Sequence, residues 1–195
     1  MRVSMKKNHF SLSVVAMTML ALSGSALADG TNLDVNFTAN IRETTCDMKL
    51  VGGTGSDTQQ TLTIGNNGQV RVDEVKAGTA NANFKIVIVE CPSSLKSLKT
   101  TVKGTASGLL ATGLTNQITG PNGGSNYVAV EIARASAPTT PFTINSTTDA
   151  NRLVWTTTEL TDKEVPLVAT LRETKTDGMT IGDFQAVATF EFSYE

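Results

Sequence analysis

The sequence predicts an all-β protein of the sandwich or barrel type. The first indication is the stretch 182–195, in which the even positions from 184 to 194 are apolar or aromatic and the odd positions are mostly polar. Because side chains alternate between faces along a strand, this stretch predicts a half-buried β-strand. The second indication is a series of short apolar runs separated by turns rich in Gly, Asn and Pro, with no pattern typical of a long amphipathic helix.

The first 28 residues have the pattern of a signal peptide. Arg2, Lys6 and Lys7 form a basic start, residues 10–22 are mostly apolar, and Ala26-Leu27-Ala28 fits a small-residue cleavage site. The apolar run is too short to span a bilayer, so export is expected, with a mature chain that begins at Asp29. A retained membrane anchor is the alternative.

The charge of the predicted mature chain excludes some classes of function. Three of the 16 Lys and Arg residues lie in the leader, which leaves 13 against 18 Asp and Glu, a net charge near −5. No nucleic-acid partner is expected, because the basic patch that such binding requires is absent. The only histidine, His9, also lies in the leader, which argues against most catalytic and metal-binding functions.

Two cysteines, Cys46 and Cys91, lie in the predicted exported part. An oxidising compartment favours a disulfide between them. Closing a loop of 45 positions would stabilise the fold by about 4 kcal/mol in the chain-entropy model. Two unpaired thiols are the alternative.

Further strands are predicted in order along the chain, with loops between them. In the strand that begins at Tyr127, the residues Val128, Val130 and Ile132 are expected to face the core. The predicted strands are residues 33–41, 61–64, 84–90, 98–103, 127–133, 152–157 and 165–172, and the predicted loops are 52–60, 112–126 and 136–141.

The final strand suggests how the fold is completed. A strand with so much apolar surface needs a neighbour on both edges, and no sequence follows to supply the second one. The early strand 33–41 repeats the same alternation, so we expect the early strand of one molecule to complete the fold of another. The alternative is that this strand is only an edge strand of its own sandwich. Its apolar positions are Leu33, Val35, Phe37, Ala39 and Ile41.

The sequence contains only weak motifs for catalysis, metal binding or phosphate binding. Ser93 to Lys96 matches the S-x-x-K pattern of serine acyltransferases, but the SDN and KTG tripeptides that accompany it there do not occur. Two cysteines are too few for a zinc site, and no phosphate-binding glycine motif follows the glycines at 52–55. We therefore expect no catalytic residue, no metal site and no cofactor.

Taken together, these residues resemble the subunits of chaperone–usher pili, the fimbrial proteins of Gram-negative bacteria. The resemblance covers the whole predicted mature chain and is most specific in VNFTANIRETTC (35–46), FKIVIVEC (84–91), NYVAVEIARAS (126–136), VPLVATLRET (165–174) and GDFQAVATFEFSYE (182–195). Four single positions match the family pattern: a Cys after the first strand, a Cys that ends an F-x-I strand, a Gly fourteenth from the end and a penultimate Tyr. They are Cys46, Cys91, Gly182 and Tyr194.

The resemblance implies an incomplete immunoglobulin-like β-sandwich that lacks its final strand and is completed by donor-strand exchange. The donor strand would lie in the extension 29–45 and the groove in a pilin domain of residues 46–195. A periplasmic chaperone fills the groove first, anchored at Glu195, and the extension of a neighbouring subunit replaces it at the outer-membrane usher. Ala39 departs from the Gly that is common in the middle of the donor strand. The groove strand is Gly182, Phe184, Ala186, Ala188, Phe190, Phe192, Tyr194 and Glu195.

The predicted function is that of a structural pilus subunit without enzymatic activity, exported to the periplasm and then assembled into an extracellular fimbria that supports cell adhesion. The shaft is the first prediction for its position, and a minor or adaptor subunit is the alternative. A self-complete β-sandwich that binds carbohydrate is the second class. It would need an exposed aromatic platform, for which only Tyr127, Phe142 and Trp155 are available outside the predicted end strands and Phe84.

Overall fold

The computed structural model describes residues 45–195. The predicted signal peptide, residues 1–28, lies outside the described residues, and so do the predicted donor side chains Leu33, Val35, Phe37, Ala39 and Ile41.

The described residues form ten strands and two short α-helices. The strands are β1 (Asp47–Val51), β2 (Thr54–Gly55), β3 (Gln60–Thr61), β4 (Asn81–Glu90), β5 (Leu98–Lys103), β6 (Gly113–Thr115), β7 (Val128–Arg134), β8 (Leu153–Val154), β9 (Glu164–Glu173) and β10 (Thr189–Tyr194). The helices are α1 (Val72–Ala77) and α2 (Thr157–Asp162), and single 3₁₀ turns occur at Gly120–Asn122 and Asp149–Asn151. Neither α-helix is long and apolar enough to cross a membrane.

Two antiparallel sheets pack on a common core, which confirms the predicted all-β sandwich. One has five strands in the order β1-β4-β9-β7-β6, the other has three in the order β10-β5-β8, and β2 and β3 form a separate hairpin. Inward-facing side chains from both sheets make up the core, as expected when two sheets bury one face each. Its most deeply buried members include Ile86, Leu98, Val102, Leu114, Leu153, Val165 and Leu167.

The predicted strand positions hold best where the apolar pattern is continuous. β5 has the predicted bounds, and β4 and β9 extend the predicted strands 84–90 and 165–172. Val128, Val130 and Ile132 of β7 are buried, as expected.

The last strand is shorter than predicted. β10 begins at Thr189, and residues 184–188 belong to no strand. Pairing with β5 runs from Thr189–Lys103 to Tyr194–Leu98, and β5 ends at Lys103. Residues 184–188 therefore lie beyond the end of β5, and alternation predicted their faces correctly but overestimated the strand.

The predicted loop 112–126 contains a strand. β6 pairs with β7 through Leu114 and Val130, and Leu114 is only 2% exposed. A three-residue strand that begins with Gly and is surrounded by Thr, Asn and Gly has too short an apolar pattern to be recognised. The long polar stretch is thus partly built into the core.

The predicted strand 152–157 is also shorter, because a helix begins inside it. β8 covers only Leu153–Val154, and α2 starts at Thr157. Thr156 caps this helix: its hydroxyl accepts a hydrogen bond from the Glu159 amide at 3.2 Å, and the Glu159 carboxylate accepts one from the Thr156 amide at 2.7 Å. This is a capping box, whose T-x-x-E signature is visible in the sequence.

Candidate functional site

Two edge strands face each other across an open side of the sandwich. Among the described strands, β1 pairs only with β4 and β10 pairs only with β5. The Tyr194 hydroxyl nevertheless donates to the carbonyl oxygen of Cys46 at 3.5 Å, and the ring centroids of Phe84 and Phe190 are 5.9 Å apart. β1 and β10 therefore lie close to each other without pairing, and we call the space between them the edge cleft.

Residues 184–194 form one side of the edge cleft. Their even-numbered side chains pack against the core but stay partly exposed, whereas the odd-numbered side chains from 185 to 191 are exposed. The neighbouring strand β5 is different, since Leu98 and Val102 are almost completely buried. The apolar face beside the edge cleft is therefore only half covered. It consists of Phe184, Ala186, Ala188, Phe190, Phe192 and Tyr194.

The opposite side of the edge cleft comes from residues that sequence reasoning did not single out. Met48 and Leu50 of β1 and Phe84 of β4 are partly buried and pack against the same core. Met48 and Leu50 alternate with Asp47 and Lys49 directly after Cys46. This alternation could have indicated a strand that faces the core, but it is too short to be recognised from the sequence alone.

β1 and β10 run in opposite directions across the edge cleft. Cys46, just before β1, contacts Tyr194 at the end of β10. Val51, the last residue of β1, pairs with Lys85, so Phe84 lies just beyond that end of β1 and contacts Phe190 near the start of β10. A strand inserted into the edge cleft would consequently be parallel to one neighbour and antiparallel to the other.

A disulfide holds one end of the edge cleft. Cys46 and Cys91 are joined, which links the residue before β1 to the residue after β4. Burial raises the pKa of Tyr194, whose hydroxyl donates toward Cys46. The predicted cysteine pair and the predicted penultimate tyrosine thus meet at the same end of the sandwich.

The backbone of Gly182 fixes the other end. A Cβ atom at this position would lie 2.6 Å from the carbonyl oxygen of Gly123 and 2.6 Å from the amide nitrogen of Ser125. Hydrogen bonds continue the contact, because the Ser125 amide donates to the Asp183 carbonyl at 2.9 Å and the Asp183 amide donates to the Gly123 carbonyl at 2.8 Å. Only a residue without a side chain allows the two backbones to approach this closely.

Asn116 joins the same two segments through its side chain. Its Nδ2 donates to the carbonyl oxygens of Ser125 and Asp183 at 2.9 and 2.7 Å, and its Oδ1 accepts from the amide of Gln185 at 3.0 Å. The segment that leads into the partly exposed face is therefore firmly attached to the loop after β6. Sequence reasoning missed Asn116, because a single Asn in a polar stretch carries no signal.

Glu195 is held by its own chain. Its main-chain oxygen accepts from the amides of Lys96 and Ser97 at 2.8 and 2.9 Å, and its carboxylate accepts from Lys99 Nζ at 2.8 Å. The hydrogen bond from Lys99 lowers the pKa of the Glu195 side chain. The Lys99 Nζ atom also lies 3.3 Å from Oδ2 of Asp149. The pKa of Asp149 is lowered chiefly by its hydrogen bond with Arg152.

The aromatic residues that a carbohydrate platform would need do not form one. Phe142 and Trp155 are 6% and 5% exposed. The Trp155 indole N–H donates to the Thr100 hydroxyl at 2.9 Å inside the protein. Of these three aromatic residues only Tyr127 is exposed. The Nζ atom of Lys175 lies over its ring, 4.9 Å from the ring centroid.

The residues weighed for catalysis and metal binding form no evident site. Ser93, Ser94 and Lys96 are exposed in the turn between β4 and β5. Within residues 45–195, no group of three or more His, Cys, Asp or Glu side chains is arranged to hold a metal ion.

Comparison with known proteins shows similarity to a family model, to a bacterial relative and to a solved structure. The family model described as fimbrial protein matches residues 35–195. A fimbrial-like protein of Escherichia coli K12, YadM, itself uncharacterized, is 28% identical over 186 residues, which are 93% of this chain and 96% of YadM. The crystal structure of the P pilus rod subunit PapA matches with a TM-score of 0.48 and 17% identity, over 78% of this chain and 94% of that one.

Proposed function

The chain belongs to the fimbrial protein family, and we propose from this premise that it is a shaft subunit of a chaperone–usher pilus that polymerises by donor-strand complementation. Membership of the family indicates a structural, non-enzymatic role in a pilus on the cell surface. The proposal adds the mechanism of assembly, the occupant of the edge cleft and the place of the subunit in the fibre.

The single observation that carries the proposal is the half-covered edge cleft. Within residues 45–195, β1 and β10 each present an unpaired edge to it, and the side chains that line it stay partly exposed. A free strand edge beside apolar side chains is a template for another strand. An inserted strand would satisfy the main-chain groups of both edges and cover the apolar face at the same time, which is β-augmentation.

The proposed occupant is the segment 29–45 of a second copy. Its alternate side chains Leu33, Val35, Phe37, Ala39 and Ile41 match the period of the partly exposed face, and this period is required for a strand that fills a cleft from one side. Each large apolar side chain contributes about 1.5–3 kcal/mol when fully buried. Ordering the segment opposes part of this gain.

The direction of the inserted strand follows from the unequal lengths of the two sides. Antiparallel pairing is slightly more stable per residue than parallel pairing. The side formed by residues 184–194 is longer than β1, which has five residues. Antiparallel pairing with β10 therefore gains more than antiparallel pairing with β1. In this direction Leu33 lies near Tyr194, and Ile41 lies near Phe184.

The proposed partners before assembly are a periplasmic chaperone and an outer-membrane usher. An uncovered edge cleft invites aggregation, so a subunit exported by the leader 1–28 needs a temporary strand in the cleft until the second copy arrives. We expect the chaperone to bind at the end where Tyr194 and Glu195 lie.

An adaptor position is the second candidate. Ala39 stands where donor strands of the family commonly have Gly, so the segment 29–45 could fit the cleft of a different subunit better than that of its own chain. A shaft subunit, in contrast, must fill the cleft of an identical copy.

Thermal unfolding with a peptide tests the mechanism. A variant that lacks residues 29–42 is heated with and without a synthetic peptide of residues 29–45, and a peptide with Phe37→Asp is the matched control. We expect a large rise in melting temperature with the unaltered peptide and little with the control. A truncated protein that is stable alone and indifferent to both peptides would contradict donor-strand complementation.

An experiment on the full-length chain then distinguishes the shaft position from the adaptor position. A shaft subunit freed of chaperone should form linear oligomers with itself. Chains that respond to the peptide of another subunit but form no oligomers alone would favour the adaptor position.

A further inference from the structure

Two exposed aliphatic side chains lie at the end of the sandwich where the partly exposed face begins. Ile181 is 91% exposed and Val187 is 52% exposed. Thr189 pairs with Lys103, whereas Tyr194 pairs with Leu98 beside the Cys46 end, so these two residues lie at the end opposite to Cys46. We call this region, residues 179–187, the Ile181 end.

The Ile181 end is held in place by the chain around it. The Thr180 amide donates to the Asn126 carbonyl at 3.3 Å, and the Thr180 hydroxyl accepts from the Asn126 amide at 2.9 Å. On the other side of Ile181, the backbone of Gly182 packs directly on Gly123 and Gly124. Ile181 is therefore presented to solvent from a backbone that is bonded on both sides.

The position of a second copy at this end follows from the proposed function, on which this inference rests. A donor segment antiparallel to β10 places Ile41 near Phe184, at the Ile181 end. Only residues 42–45 then separate Ile41 from Cys46 of the donor copy. At about 3.3 Å per residue, the five Cα–Cα steps from Ile41 to Cys46 span about 17 Å in an extended chain. The Cys46 end of the donor copy must consequently lie next to the Ile181 end of the acceptor.

The Cys46 end offers a surface of suitable chemistry. The disulfide places Cys91 beside Cys46, and the loop 92–97 continues from it. Pro92 and Leu95 of this loop are partly exposed. An aliphatic side chain on the acceptor can thus be covered by apolar surface of the donor.

We propose that Ile181 and Val187 form a contact between the bodies of successive copies, against the loop 92–97 of the donor copy. The contact joins different surfaces of two identical chains, which is the head-to-tail arrangement that yields an open filament. It stabilises each joint of the fibre in addition to the inserted strand, and it limits the angle between neighbouring copies.

The test compares the release of a whole chain with the release of a peptide. Oligomers of the full-length chain that contain labelled copies are mixed with excess unlabelled peptide 29–45, and the release of labelled chain is followed. In parallel, the release of labelled peptide from the variant that lacks residues 29–42 is measured. The substitution is Ile181→Asp, and the matched control is Leu109→Asp. Leu109 is also exposed, at 62%, but lies in the segment that leads to β6, at the sheet edge opposite to β1.

We expect Ile181→Asp to speed the release of whole chain about tenfold, because one large aliphatic contact is lost and a charge is brought to the joint. Release of the peptide should not change, and Leu109→Asp should change neither rate. Equal release of whole chain from Ile181→Asp and unaltered oligomers would overturn the end contact and leave the edge-cleft proposal intact. Faster release of the peptide would overturn it as well, since Ile181 would then act through the cleft. If the peptide does not bind the unaltered cleft, the proposed function fails and the end contact fails with it.

Discussion

The rings of Phe84 and Phe190 lie 5.9 Å apart at an interplanar angle of 45°, and they connect the two sheets beside the edge cleft. Phe84 belongs to β4 of the five-stranded sheet and Phe190 to β10 of the three-stranded sheet. This distance is typical of a favourable aromatic pair. The pair therefore holds the two sides of the cleft at a spacing that does not depend on β1–β10 hydrogen bonds.

Loss of the Phe190 ring should destabilise the sandwich. We expect Phe190→Ala to lower the free energy of unfolding by about 2–4 kcal/mol, toward the lower end of values for Phe in a core because the ring is only partly buried. Phe190→Leu keeps most of the apolar volume and should cost about 1 kcal/mol, the contribution of the aromatic pair. Urea unfolding of the two variants measures both values. A Phe190→Leu variant as stable as the unaltered chain would show that the ring geometry contributes nothing.

Removal of the disulfide should be costly for a loop of this length. The bridge between Cys46 and Cys91 closes 45 positions, so the double variant Cys46→Ser/Cys91→Ser should lose about 4 kcal/mol of unfolding free energy. Urea unfolding of the oxidised chain, the reduced chain and the double variant checks this. Reduction should reproduce the effect of the substitutions, and an unchanged unfolding midpoint in either case would contradict the prediction.

A methyl group at Gly182 should not fit. The added Cβ would lie 2.6 Å from backbone atoms of Gly123, Gly124 and Ser125. We expect Gly182→Ala to destabilise the protein by about 1–3 kcal/mol, the usual cost of overpacking, and to loosen the Ile181 end. Gly108→Ala is the control, since within residues 45–195 no atom apart from those of Gly108 and its two chain neighbours lies within 4 Å of the corresponding Cβ. Thermal unfolding should separate the two variants, and equal melting temperatures would be evidence against the close approach.

The ion pairs of Lys99 should give the stability a dependence on acid pH. The pKa of Glu195 is lowered chiefly by its hydrogen bond with Lys99, and that of Asp149 is lowered by Arg152 and then by Lys99. A carboxyl group with a lowered pKa stabilises the fold above its unfolded-state pKa, and this contribution is lost as the pH falls through the folded-state pKa. Lys99→Met should therefore be less stable than the unaltered chain at pH 7, and the difference should shrink below about pH 4.5, the ordinary pKa of Glu.

The control for this prediction is Lys96→Met. The main-chain amide of Lys96 bonds to Glu195, but within residues 45–195 its ammonium group has no ion pair shorter than 4 Å. Chemical unfolding at several pH values should show a small acid-dependent difference only for Lys99→Met. Because these carboxylates are exposed, the difference should also decrease in high salt. A difference that is constant from pH 7 to pH 2 would assign the effect of Lys99→Met to packing instead.

The alternation of the last fourteen residues shows how far a local pattern reaches. Residue order alone predicts the partly exposed face from Phe184 to Tyr194, because face alternation depends only on the geometry of an extended backbone. It could not show that pairing starts only at Thr189, because pairing depends on where β5 ends. In the same way, the pattern of residues 112–126 could not reveal β6, whose Leu114 is buried only by its pairing with β7.

The sequence by itself determined the all-β class, the cysteine pair, the apolar face of the last strand and the resemblance to pilus subunits, because each depends on residue type and short-range order. Only the tertiary structure decided which residues share the edge cleft. Met48, Leu50 and Phe84 are far from Phe190 and Phe192 in the chain and come together because β1 and β10 are edges of different sheets that pack on one core. The exposure of Ile181 and the close approach at Gly182 are also consequences of packing between distant segments. Such contacts are set by the arrangement of the sheets, which no local pattern encodes.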